Sequence, residues 1–366
     1  MLSRPTARLV GLDVLRGIAI LLVMLRHARP AVFGTAGLVG VVMFFALSGY
    51  LITGLIHRDV ERFGRLRYGR FYRNRALRLL PALLLLVLVF AIVTVLVDPL
   101  DESDSLGSSV LFALTYTMDL PFVDGSAALQ HLWTLATEEQ FYLLWPLLLT
   151  LGLRMRRIGL VLIGAVVLVN VAIAASLVVM SPSVTDLYTL PTSWAVAMII
   201  GAAVKLYEPT VDRMLHGRAL TVAAVASGLF VVAMAFLPDT KSDALTYFLM
   251  CPAVAVASMV LILRVKAWQA LPSQILAPLL GLGVISYAAY LWNYPMVKWL
   301  HALELPQPWL WEIPCTIAAA TLSWFLLERP IMRWKTRIDA RAHAAVAAES
   351  ERSAERELQP LSARVP

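Results

Sequence analysis

The chain has 366 residues, 60% hydrophobic and only 15% charged, against roughly 25% charged in a soluble domain, which excludes an ordinary water-soluble enzyme and predicts a polytopic membrane protein. Its formal charge of +7 follows from basic residues gathering in cytoplasmic loops, so nucleic acid is not an expected partner. Two cysteines, Cys251 and Cys315, both in apolar stretches, are too few for a disulfide framework or a thiolate metal site, and no metal is expected.

Arg4 and Arg8 precede the first apolar stretch as they would in a signal peptide. No small-residue cleavage site follows, and Asp13 and Arg16 interrupt the run, so it reads as a retained first span. A bilayer-crossing helix needs about 20 mostly apolar residues. Ten segments meet that measure, near 10–28, 37–56, 79–97, 135–153, 158–180, 187–206, 219–237, 244–263, 280–300 and 309–327. With the N-terminus inside, 26 of the 31 basic residues fall on the cytoplasmic side, which predicts an all-α protein of about ten transmembrane helices with both termini cytoplasmic. The acidic stretch DPLDESD at 98–104 suits an outer loop. The short apolar stretch 110–124 is broken by Asp119, Pro121 and Asp124 and reads as re-entrant or interfacial. Residues 1–337 then form one membrane-embedded domain, and 338–366 a charged cytoplasmic tail, helical or disordered. No internal repeat and no matching pair of broken helices is visible.

Ionisable residues inside spans are costly and mark functional sites by default. In the first span, Arg16 and His27 are eleven residues apart, which puts them on nearly one helix face about 16 Å from each other. Asp13, three residues before Arg16, can pair with it. The bland alternative is an interfacial His27 and a snorkelling Arg16. At 70–81, RFYRNRALRLLP presents Arg75 and Arg78 on one face. They are either a positive-inside anchor or a grip for phosphate, whose oxygens match guanidinium forks. At 130–148, QHLWTLATEEQFYLLWPLL puts His131 and Trp133 at the outer interface and carries Glu138, Glu139, Phe141 and Tyr142 into the membrane. Glu138 and His27 then share the outer half, so a His27–Glu138 pair could orient the imidazole for proton abstraction. Ser48 and Gly49 read as helix-packing residues, because no base is identifiable beside the serine. SYAAYLWNYP at 286–295 sets Tyr287, Tyr290 and Tyr294 at helical spacing near Asn293, on a face that packs or lines a cavity.

Together these stretches resemble the acyltransferase-3 family of integral-membrane acyltransferases over about residues 8–335. GLDVLRG with His27 beyond it resembles the family's first-helix signature, VMFFALSGYLI its second helix, and FYRNRALRLLP its arginine motif. HLWTLATEEQFYLLWP resembles its tryptophan–glutamate–phenylalanine–tyrosine motif, and LLERP at 326–330 the end of its last helix. Two positions depart from the family: Asn293 stands where many members have histidine, and Thr134 where many have serine. Asparagine hydrogen-bonds but cannot shuttle a proton, which puts an essential role for that position in doubt.

The resemblance implies transfer of an acyl group, acetyl first, from acyl-CoA to a hydroxyl of a glycan or a glycosylated small molecule, in a bacterial cytoplasmic membrane. No tightly bound cofactor is implied; acyl-CoA is a substrate. Arg75 and Arg78, with Arg16, would hold its phosphates from the cytoplasm. His27 would be the base or the acyl carrier, with Glu138 orienting it. Asp13, Trp133, Tyr142, Tyr290 and Asn293 would support or line the substrate path. The chain ends about thirty residues after the last span, so direct delivery to the acceptor is expected, without the outer esterase-like domain that some members carry. An alanine-, arginine- and leucine-rich composition suits a GC-rich bacterium, in which acylation of a secondary metabolite is one option. The rival reading is a proton-coupled transporter or flippase, which the absence of inverted repeats disfavours.

Overall fold

The computed structural model describes residues 9–120, 125–179 and 187–338; the predicted tail 339–366 and the N-terminal Arg4 and Arg8 lie outside the described residues, as do Pro121 and Asp124 of the expected re-entrant stretch. Every regular element among these residues is helical. The helices are α1 (Val10–Ala28), α2 (Ala36–Phe63), α3 (Tyr68–Leu96), α4 (Leu106–Thr115), α5 (Trp133–Arg154), α6 (Ile158–Val179) and α7 (Thr192–Leu206). They continue with α8 (Glu208–Met214), α9 (Gly217–Ala235), α10 (Cys251–Val265), α11 (Ala277–Val284), α12 (Ser286–Ala302) and α13 (Trp309–Ser323).

Among the described residues six helices are long and apolar enough to cross a bilayer, and two bent pairs, α7–α8 at 79° and α11–α12 at 72°, raise the number to eight. The sequence suggested ten. The two remaining segments are α1 and α5, with 19 and 22 residues, whose apolar continuity is broken by Asp13, Arg16 and Arg26 in one and by Glu138, Glu139 and Gln140 in the other. The chain is a multi-pass membrane protein. α6 and α9 have few buried residues, and leucines and valines such as Leu160, Val167, Val222 and Leu229 are more than half exposed, a surface suited to lipid and not to water. α2 is the opposite: 78% of its apolar window is buried at the centre of the bundle.

α3 starts eleven residues earlier than the expected third span, so Arg75 and Arg78 lie inside the helix. α4 has ten residues, about 15 Å and half a bilayer thickness. The bend after α7 has a local cause: Pro209 suits the first turn of a new helix, so α8 starts afresh. The bend is tied down by Glu208, which pairs with Lys205 and takes Lys266, at the end of α10, at 2.5 Å.

Two crossings without side chains between them set the inner helices. A Cβ on Gly17 would meet the Leu279 carbonyl at 1.9 Å, and one on Gly283 the Asp13 carbonyl at 1.7 Å, so α1 and α11 touch backbone to backbone. Gly49 and Gly201 do the same for α2 and α7, with Met198 and Ala46 carbonyls at 2.0 and 2.2 Å. Small residues at such contacts are the usual way membrane helices approach closely.

Candidate active site

Five helices converge on a cavity that opens to solvent and holds, with its mouth, about 760 Å³ of empty space. α1 contributes Arg16, which the glycine crossing against α11 holds in place and Asp13 pairs with at 3.7 Å. α2 contributes Phe44 and Ser48, one turn apart, and α3 contributes Arg75 and Arg78, three apart. α5 contributes Thr134, Glu138 and Tyr142, a strict four-residue repeat that puts all three on one face. α12 contributes Tyr287 and Tyr290.

The three arginines are differently committed. Arg75 donates through Nε to Glu139 at 2.8 and 3.0 Å, reaches the same carboxylate through Nη2 at 2.7 Å, and lies 3.3 Å over the Tyr142 ring. Arg16 has Asp13. Arg78 lines the cavity without a salt bridge or hydrogen bond to any described residue. Glu138 accepts from the Ser48 hydroxyl at 2.5 Å and is 4.0 Å from Arg75. A wall with three guanidiniums, one of them unpaired among the described residues, is built for an anion.

The expected His27–Glu138 pair is not formed. His27 is not on the cavity wall; its Nδ1 lies 2.5 Å from Asn293 Oδ1, and its ring is 5.1 Å from that of Tyr294. An aromatic layer separates it from the arginines: Tyr294 stands 5.5 Å from His131, and His131 stands 5.6 Å from the cavity-lining Tyr290. The Tyr290 hydroxyl donates to the His131 carbonyl at 3.1 Å and accepts from Thr134 at 2.6 Å, which fixes this layer across α5 and α12.

Trp133, expected to support or line the substrate path, is off the cavity wall and packs against Tyr188 and Trp194 at 4.9 and 5.3 Å in an aromatic core. The reason is its position on α5: it precedes Thr134 by one residue, about 100° around the helix from the cavity face. Asp13 supports Arg16 and is not itself on the wall, while Tyr142 and Tyr290 are. Asn293, whose role the family difference put in doubt, holds His27. Three contributors were not selected from the sequence: Ser48, Thr134 and Glu139. The four-residue spacing from Thr134 through Glu138 to Tyr142 was the available signal for the second. Ser48 had none, because its partner is 90 residues away.

A bundle with a lipid-facing rim and a charged cavity between its inner helices defines an integral-membrane protein with a site for a polar substrate. The model of the acyltransferase-3 family, described as an acyltransferase domain, matches residues 9–329, and the chain belongs to that family. It is similar to the peptidoglycan O-acetyltransferase OatA of Listeria monocytogenes, 27% identical over 350 residues that cover 88% of this chain and 56% of the relative. It is similar to the O-acetyltransferase OatA of Staphylococcus aureus, 26% identical over 354 residues, 89% of this chain and 57% of the relative. The putative peptidoglycan O-acetyltransferase YrhL of Bacillus subtilis is 27% identical over 348 residues, 88% of this chain and 54% of the relative. The chain thus spans about half the length of the curated relatives it matches. No solved structure matches it.

Proposed function

We propose that the protein is a ten-span O-acyltransferase of a bacterial cytoplasmic membrane, with both termini inside, that moves an acetyl group from acetyl-CoA to a hydroxyl of a cell-wall glycan. The acceptor class follows the names of the relatives, two of which are peptidoglycan O-acetyltransferases or putatively so. Adding the charge-bearing α1 and α5 to the eight apolar spans gives ten, and the arginine-rich stretch 57–78, from the end of α2 through the turn into α3, supports placing that end on the cytoplasmic side. The whole membrane part, 1–337, acts as one unit in this reading.

The observation that carries it is the polarity of α1. Arg16 faces the arginine-lined cavity toward one end, and His27 sits toward the other, about 16 Å away along the helix. Phosphates of acyl-CoA made in the cytoplasm would be held by Arg78 and Arg16, with Arg75 as the fixed edge of the cradle. Glu138, hydrogen-bonded by Ser48, balances the guanidiniums within that donor site and is not the partner of the imidazole. The acyl-pantetheine arm would pass the Tyr290–His131–Tyr294 layer to His27. There His27 takes the proton of the acceptor hydroxyl, the hydroxyl oxygen forms a bond to the acyl carbon, the C–S bond breaks, and the proton passes to the leaving thiolate.

The test is thermal unfolding of the purified protein in nanodiscs with acetyl-CoA, propionyl-CoA and longer esters. A ligand at about 100 times its Kd stabilises by about 2.7 kcal/mol. The expected result is stabilisation that is lost in Arg78→Ala and retained in His27→Ala, whose acetyl transfer to peptidoglycan fragments is abolished. Folded wild-type protein that no CoA ester stabilises overturns the donor assignment, and a His27→Ala enzyme with normal transfer overturns the base.

A further inference from the structure

A base must present a bare lone pair, and an uncharged imidazole has one nitrogen protonated and one bare. Which is which depends on what its neighbours accept or donate. The only hydrogen-bond partner of the His27 ring among the described residues is Asn293 on α12, which is 1% exposed. Its amide is held from the far side: Nδ2 donates to Thr316 Oγ1 on α13 at 3.3 Å, and Thr316 is fully buried. With Nδ2 on the Thr316 side, Oδ1 of Asn293 faces α1, where His27 Nδ1 lies at 2.5 Å. An amide oxygen can only accept, so the contact is a hydrogen bond only when Nδ1 carries the proton.

We infer that Asn293, oriented by Thr316, is a positioning residue that locks His27 in the Nδ1–H tautomer and leaves Nε2 bare to take the proton of the acceptor hydroxyl. The inference rests on the reading of His27 as the base. It gives Asn293, one of the two positions at which this chain departs from the family pattern, a defined role, because an amide cannot relay the Nδ1 proton onward and so orients the ring without taking part in proton transfer. The other imidazole of the layer, His131, directs its Nε2–H into the Leu291 carbonyl at 3.1 Å and so also has a bare nitrogen, but that Nδ1 is buried and the residue is 7% exposed, whereas His27 is only half-buried. A carboxylate at 293 would also accept from Nδ1, and an aliphatic side chain would not. The two substitutions therefore separate tautomer control from simple filling of space.

The tautomer is read directly by nitrogen-15 NMR of the histidine-labelled protein in nanodiscs, with His27 assigned by its absence in His27→Gln. The expected wild-type spectrum has Nδ1 protonated and Nε2 bare. In Asn293→Leu the two tautomers mix, and kcat for acetyl transfer falls by about 10² to 10⁴, the range for losing a correctly disposed base, while KM for acetyl-CoA is unchanged. Asn293→Asp keeps the wild-type tautomer. Thr316→Val frees the amide to flip and gives the same mixing in milder form, so it carries the test if Asn293→Leu does not fold. A wild-type His27 protonated on Nε2, or an unchanged tautomer in both Asn293→Leu and Thr316→Val, overturns the inference. Failure of the underlying reading is separately visible: the His27→Gln enzyme would then still transfer acetyl groups, whatever the spectra show.

Discussion

Arg75 and Arg78 differ by three residues in sequence and by their whole chemistry in the fold. Arg75 uses its fork on Glu139 and its plane on Tyr142, so a lysine there keeps the charge and loses both contacts. Arg75→Lys is therefore expected to lower the melting temperature of the ligand-free protein, through the loss of about 1.5–3 kcal/mol of hydrogen bonding to a charged group. Arg78→Ala removes a side chain with no salt-bridge or hydrogen-bond partner among the described residues, and the ligand-free melting temperature should stay at the wild-type value. Thermal unfolding of the two variants side by side checks both, and a large loss in Arg78→Ala would mean that Arg78 supports the fold and is not held free for a ligand. Ser48→Ala belongs to the same scale. It strips Glu138 of its 2.5 Å donor, and the expected outcome is weaker acetyl-CoA binding with the fold retained, measured by isothermal titration.

Helices present these side chains only because their backbones come close. α1 and α11 meet at Gly17 and Gly283, and a methyl on Gly283 would stand 1.7 Å from a backbone oxygen that has no soft side chain to yield. Overpacking of this kind costs about 1–3 kcal/mol, occasionally more. Gly283→Ala should reduce stability by at least that range. It should also displace Asp13 and Arg16, weakening acetyl-CoA binding, as titration against wild type would reveal. Gly228→Ala on α9 is the matched control, since nothing lies within 4 Å of the added carbon and a helical alanine is favoured over glycine by about 1 kcal/mol. Equal effects in the two variants would refute the crossing as the device that positions Arg16.

The whole molecule is a gradient from a buried α2 to lipid-facing α6 and α9, crossed by one polar line from the arginine cavity through the aromatic layer to His27. That line has a direction only if the bundle does. In a cysteine-free background, Ser242→Cys in the loop before α10 should react with a membrane-impermeant maleimide in intact cells. Arg65→Cys, in the exposed turn between α2 and α3, should react only after lysis. The reverse pattern would put the arginine cavity outside and remove the case for a cytoplasmic acyl-CoA donor.

What could be read from the sequence was whatever repeats within a turn or two of one helix. The Asp13–Arg16 pair, the shared face of Arg75 and Arg78, and the membrane-spanning character of the apolar runs all follow from 3.6 residues per turn and from the cost of polar groups in lipid. The sequence also marked His27, Glu138 and Asn293 as polar residues out of place. It could not tell which of them meet. His27 and Asn293 are 266 residues apart and Ser48 and Glu138 are 90 apart, and each pair is made between two helices that the sequence does not show to be neighbours. Helical periodicity fixes where a side chain points around its own axis. Only the packing of one axis against another decided that the histidine would find an amide and the carboxylate a serine.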